Sequence, residues 1–111
     1  MALCANDVMA LGAKEAIQDA RRKILVAGID AIPEALEAAQ KGELAGTVDS
    51  NGFDQGFVAV DLTAKYLLTG AKPPKDTLVG AGMPTVITKE NAAAYEKNKA
   101  EKFKKFGIKT D

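Results

Sequence analysis

The chain has 111 residues, 47% apolar and 27% charged, the balance of a soluble globular protein of one ordinary domain. Fifteen basic residues cancel fifteen acidic ones, so charge gives no reason to expect nucleic acid or an anionic membrane as the main partner. Histidine is absent and Cys4 is the one cysteine, which excludes Ser-His-Asp and Cys-His nucleophile pairs, histidine bases, histidine metal sites and an intrachain disulfide. No apolar run approaches the length of a membrane span, and the first ten residues show no basic segment followed by a long apolar one.

Residues 1–5 are short and apolar and fit the tail of a buried strand. Asn6 or Asp7 then stands where a helix N-cap belongs, since a short side-chain oxygen accepts from free backbone N–H groups. Met9, Ala13, Ala16, Ile17 and Ala20 follow at spacings that put them on one face of a helix running to about Arg21. Ile24–Ile29 is a continuous apolar run rich in branched residues, the pattern of a parallel strand covered on both faces. Asp30 ends it. Pro33 suits the first turn of a short helix over 33–41, with Leu36 and Ala35 or Ala39 facing inward and Gly42 as its C-terminal cap.

Leu44–Val48 reads as the next strand, and Asp49-Ser50-Asn51-Gly52 as polar turn chemistry after it. A helix is predicted over 53–69, with Phe57, Val60, Ala64, Leu67 and Leu68 in one stripe and Gly70 as its end. Lys72-Pro73-Pro74-Lys75 reads as an extended linker. Leu78-Val79 and Thr85–Thr88 are short strand candidates. Gly80-Ala81-Gly82 has the spacing of neither phosphate-binding loop. Thr88 is placed to cap a last helix from Lys89 to about Phe106, whose lysines interleave with Glu90, Glu96 and Glu101 as on a solvated face.

The alternation of strands and helices implies an α/β fold: a parallel sheet with helices on both faces. Ligands of such sheets bind outside the carboxyl ends of the strands. Three polar clusters fall at such ends: Asn6-Asp7, Asp30 and Asp49-Ser50-Asn51. Each has a plainer reading, as a helix cap for Asn6, Asp7 and Asp30 and as turn chemistry for Ser50. Cys4 reads as a small buried hydrophobe.

The segment Cys4-Ala5-Asn6-Asp7-Val8-Met9-Ala10-Leu11-Gly12-Ala13 resembles the type I periplasmic sugar-binding proteins of the ribose-binding group. So do Val26–Ala35, Gly42–Val48, Gln55-Gly56 and Thr88-Lys89-Glu90-Asn91, in the family's order and spacing. The resemblance covers only the family's C-terminal part. Members have two lobes joined by three crossing strands, with the ligand between them. It implies that residues 1–49 form a second-lobe core. It also implies that helix 53–70 packs on the first lobe after a crossing near Asp49–Gly52. A return crossing near Lys75–Gly82 would open the segment 75–111, which holds the last strand and the C-terminal helix. On this mapping the stripe Phe57, Val60, Ala64, Leu67 and Leu68 lacks its usual cover, so a missing first lobe, a swapped arrangement or self-association is expected.

By the same resemblance, Asn6 and Asp30 match positions that bond sugar hydroxyls. Sugars both donate and accept, which carboxylates and side-chain amides satisfy. Ser50 falls where ribose-binding members place a Gln, a departure that counts against ribose, with Asp49 and Asn51 as substitutes. The function implied is monosaccharide binding for an ABC importer, with a permease as partner, a periplasmic or extracytoplasmic location, no cofactor and no catalysis. The competing expectations are the effector-binding part of a sugar-responsive repressor and a self-associating fragment without ligand.

Overall fold

The computed structural model describes residues 1–72 and 82–108. Its elements alternate: β1 (Ala2–Leu3), α1 (Asp7–Asp19), β2 (Val26–Ala27), α2 (Pro33–Lys41), β3 (Thr47–Asp49), α3 (Gly52–Thr69), β4 (Thr85–Ile87) and α4 (Ala92–Lys105). The chain divides into two compact units, Met1–Asp49 with Val86–Asp111, and Ser50–Thr85. Among the expected features, Leu78-Val79, Gly80 and residues 73–81 of the linker and return crossing lie outside the described residues.

In the first unit β1 pairs in parallel with β2, Ala2 opposite Val26 and Leu3 opposite Ala27. A parallel bridge from Ala27 to Gly46 carries the sheet on toward β3, and β3 pairs with β4. The spatial order is therefore the chain order. Helices α1 and α2, which join β1 to β2 and β2 to β3, pack on one side of these strands. That side holds two adjoining cores. Ala10, Val26, Ala35, Ala38 and Leu44 form the first, with Cys4, Ala13 and Ile17 packed against it. Ala31, Leu36, Ile87 and Ala92 form the second, with Tyr95 against it. Helix α2 contributes to both, which is why it buries Ala35, Leu36, Ala38 and Ala39 rather than a narrow stripe.

The opposite side of these strands carries Leu3, Leu25, Ile29 and Val86, all exposed, Leu25 at 64%. Within the run Ile24–Ile29, Val26 and Gly28 are buried, while Ile24, Leu25 and Ile29 are exposed. Continuous apolarity fits a strand meant to be covered twice; the described residues cover it once.

Local chemistry explains most boundaries. Asn6 caps α1 through its side chain. Pro33 opens α2, and Gly42, at φ 77°, closes it in the left-handed conformation that glycine adopts without strain. Two sequence expectations shift. In α1 the inward residues are Ala10, Ala13 and Ile17, while Met9 and Ala16 face outward, because buried Asp7 fixes the helix rotation. Helix α4 starts at Ala92 with Asn91 at its N-cap rather than at Lys89 behind Thr88. A turn intervenes, in which Asn91 Oδ1 accepts from the Thr88 N–H at 2.8 Å and Asn91 Nδ2 donates to the Val86 carbonyl at 2.9 Å.

In the second unit α3 ends at Gly70, φ 72°, as expected from the sequence. None of its residues is buried, and Val60, Leu67 and Leu68 stand open, Leu68 at 85%. Asn51 precedes α3 in a left-handed conformation, φ 59°, and its Nδ2 donates to the Met83 carbonyl at 2.6 Å.

Candidate functional site

The polar residues of interest in the first unit collect where β1, β2 and β3 end. The Asp7 N–H donates to the Ile29 carbonyl at 2.8 Å, and the Asp30 N–H to the Val48 carbonyl at 2.8 Å. Asn6 precedes Asp7 in the chain and Asp30 follows Ile29. The first of these bonds therefore sets Asn6 and Asp30 at the same edge, on adjacent strand ends.

Asn6 and Asp7 take opposite roles. Asn6 Oδ1 accepts from the Met9 N–H at 2.9 Å and so caps α1. That bond fixes the amide plane and leaves Nδ2 as a donor with no hydrogen bond among the described residues. Capping and ligand contact are thus compatible at Asn6, because they use different atoms.

Asp7 turns inward and is 0% exposed. Its Oδ1 accepts from Thr47 Oγ1–H at 2.7 Å and its Oδ2 from the Ile32 N–H at 3.0 Å. Thr47 Oγ1 in turn accepts from the Ala31 N–H at 3.2 Å. Gly28 makes room for this carboxylate: a Cβ there would lie 2.2 Å from Asp7 Oδ1. The sequence offers Asp7, like Asn6, as a helix cap or as part of a polar cluster at a strand end, and gives Thr47 no role. The doublet Asn6-Asp7 at a strand end was the signal for Asp7; nothing in the sequence pointed to Thr47.

Asp30 does not cap α2. The N-cap position is Ile32, which makes no side-chain cap, and the Ile32 N–H goes to Asp7 instead. Asp30 is exposed and has φ 118°, and buried Ala31 beside it has φ 52°. Both are unfavourable for residues bearing a Cβ. The Asp30 carboxylate makes no hydrogen bond or ion pair among the described residues.

Ser50 opens the second unit, where its carbonyl accepts from Gln55 Nε2. Of its two proposed substitutes, Asp49 accepts at Oδ2 from the Tyr95 hydroxyl at 2.6 Å and Asn51 is bonded to Met83. Burial, reinforced by the Asp49 carboxylate, pushes the Tyr95 phenol well above its usual range, so Tyr95 is a neutral donor. Among the described residues no group of histidine, cysteine or carboxylate side chains has the arrangement of a metal site.

Residues 1–72 match the family model described as the periplasmic binding protein domain. The D-galactose/methyl-galactoside binding periplasmic protein of Haemophilus influenzae is 50% identical over 58 residues, which are 52% of this chain and 18% of that protein. The D-allose-binding periplasmic protein of Escherichia coli is 37% identical over 75 residues, 66% of this chain and 24% of that one. Among solved structures, the Caulobacter myo-inositol binding protein superposes with a TM-score of 0.72 at 37% identity, covering 83% of this chain and 31% of its own. The chain thus spans between about a fifth and a third of the length of these relatives. The chain belongs to the periplasmic binding protein family.

Proposed function

We propose that the chain supplies part of a monosaccharide- or cyclitol-binding cleft of an ABC-importer binding protein, working in the periplasm with a membrane permease. The observation that carries this reading is the placement of Asn6 and Asp30 on adjacent strand ends, tied by the Asp7–Ile29 hydrogen bond. Asn6 Nδ2 offers a donor and Asp30 a charged acceptor, and a ring hydroxyl serves both at once. The names of the relatives, binding proteins for galactose, allose and myo-inositol, support a polyol as the ligand. Ser50 is a third candidate, in the second unit, and the reading does not depend on it.

The exposed apolar faces fit the same reading. Leu3, Leu25 and Val86 on the sheet of the first unit, and Val60, Leu67 and Leu68 on α3, are large side chains left in water. Further polypeptide of the family's kind covers such faces and completes the ligand's enclosure; self-association is the other way to bury them. A partial cleft holds a sugar weakly, because it buries part of the ligand and leaves hydroxyls half-paired.

Titration of the isotope-labelled chain with D-galactose, D-allose, D-ribose and myo-inositol, followed by NMR, tests the reading. The Asn6 side-chain amide and the Asp30 backbone amide shift with an apparent Kd of about 1 mM or weaker. No shift at either residue up to about 100 mM of every polyol overturns the site. Micromolar binding to a monomer overturns the partial-cleft picture.

A further inference from the structure

We infer that Asp7, Thr47 and Lys99 are positioning residues for the ligand edge, holding the backbone of Asp30–Ile32 so that the Asp30 carboxylate is set in place before a ligand arrives. This rests on the reading of Asp30 as a hydroxyl acceptor.

Three successive backbone N–H groups are each fixed by a different partner. That of Asp30 donates to the Val48 carbonyl at 2.8 Å, that of Ala31 to Thr47 Oγ1 at 3.2 Å, and that of Ile32 to Asp7 Oδ2 at 3.0 Å. The Ala31 carbonyl is held from the other side, accepting from Lys99 Nζ at 3.4 Å. That ammonium lies 5.7 Å and 5.9 Å from the centres of the Tyr95 and Phe103 rings, a placement that favours a cation. Donors and acceptors on β3, α1 and α4 thus converge on a loop of three residues.

The loop needs such restraint. Positive φ at two consecutive residues with side chains persists only where the surroundings over-determine the backbone. A hydrogen-bonded turn with a glycine at the strained position would join β2 to α2 without strain. The observed arrangement instead keeps a carboxylate at that position. Both Asp7 oxygens are engaged inside the protein and the residue is fully buried, so Asp7 acts through the loop and does not meet the ligand. A preset acceptor saves the cost of ordering the loop on binding.

Thr47→Val keeps the shape of the side chain and removes the hydroxyl, Thr47→Ser restores the hydroxyl, and Lys99→Met removes the hold on the Ala31 carbonyl from a partly exposed position. D-galactose, D-allose and myo-inositol are each titrated against all four chains, with amide exchange at Ala31 and Ile32 and the HN–Hα coupling of Asp30 measured alongside. In Thr47→Val the polyol affinity falls about tenfold, and exchange at Ala31 and Ile32 rises by more than the change in global stability accounts for. Thr47→Ser recovers both to within about twofold and Lys99→Met costs about threefold. An unchanged Asp30 coupling in Thr47→Val, or an affinity loss that Thr47→Ser does not recover, overturns the inference. Should Thr47→Val fail to fold, Lys99→Met decides: unchanged affinity and unchanged Ala31 exchange overturn it. If the wild-type chain responds to none of the polyols, the binding reading fails, and the restraint is judged separately by the coupling and exchange data.

Discussion

Replacing Asp30 by glycine separates what this residue does for the fold from what it does for a ligand. The side chain is exposed and makes no hydrogen bond or ion pair among the described residues, so its removal deletes no internal contact. The backbone φ of 118° disfavours any residue with a Cβ, at about 1–3 kcal/mol for a sparsely populated conformation. Glycine removes that cost and adds about 0.4–1 kcal/mol of extra freedom in the unfolded chain. The balance is a net stabilisation of about 1 kcal/mol, a rise in Tm of roughly 4 °C for a domain of this size. Asp30→Ala is the control, since it loses the carboxylate and keeps the strain. Its stability stays within about 0.5 kcal/mol of wild type. Urea denaturation followed by circular dichroism reads all three chains, and the midpoint shift is interpreted only if the slope is unchanged. Both variants lose the polyol-induced shift at Asn6. The reasoning is refuted if Asp30→Gly is less stable than Asp30→Ala, for then the conformation is not strained. It is refuted equally if either variant keeps the wild-type response to polyols.

Gly28→Ala places a methyl group 2.2 Å from Asp7 Oδ1 and costs about 2–4 kcal/mol in urea denaturation; a neutral result shows that the Asp7 seat is not as tight as described. Tyr95→Phe removes the donor to Asp49 and lowers stability by about 1 kcal/mol at neutral pH. Because the folded phenol is raised above its unfolded value near 10, its stabilisation is complete below about pH 10 and is lost as pH climbs toward the folded value. Denaturation midpoints between pH 8 and 11 therefore fall less steeply in Tyr95→Phe than in wild type, and parallel curves count against a raised phenol. Leu25→Glu puts a charge on the uncovered sheet face, changes stability by less than about 0.5 kcal/mol and reduces the mass seen by light scattering if copies meet through that face. An unchanged oligomer leaves Leu25 out of the contact.

Elements were legible from the sequence wherever one residue carried the signal. Pro33 and Gly42 bounded α2, Gly70 ended α3, and the pair Asn6-Asp7 marked the start of α1, where Asn6 is the cap. Periodicity served less well where a helix meets two neighbours or a buried polar group. The rotation of α1 follows from Asp7 entering the core, and an apolar count that skips polar residues sets Met9 inward instead of Ala10. The start of α4 moved for a related reason: Thr88 is a plausible cap by composition, but Asn91 closes a turn onto Thr88 and Val86 first. The run Ile24–Ile29 reads as a strand covered on both faces, and the described residues cover only one. Its sequence does not say which polypeptide provides the second face, so Leu25 and Ile29 read as buried and are exposed.

The candidate site residues stand out in the sequence by composition but not by role, and burial and strain set them apart from one another. Asp7 and Thr47 are buried, and their polar atoms are engaged by one another and by the loop amides; all their contacts lie within the fold, where an unpaired carboxylate is costly. Asn6 caps α1 through one atom and retains a donor, so folding accounts for half of it. Asp30 is the opposite case. It gains no contact among the described residues and occupies a backbone conformation that glycine holds at lower cost. On the proposed reading that cost is offset by what Asp30 meets outside the fold, and its place next to Asn6, at the carboxyl ends of parallel strands, is where ligands of α/β sheets bind.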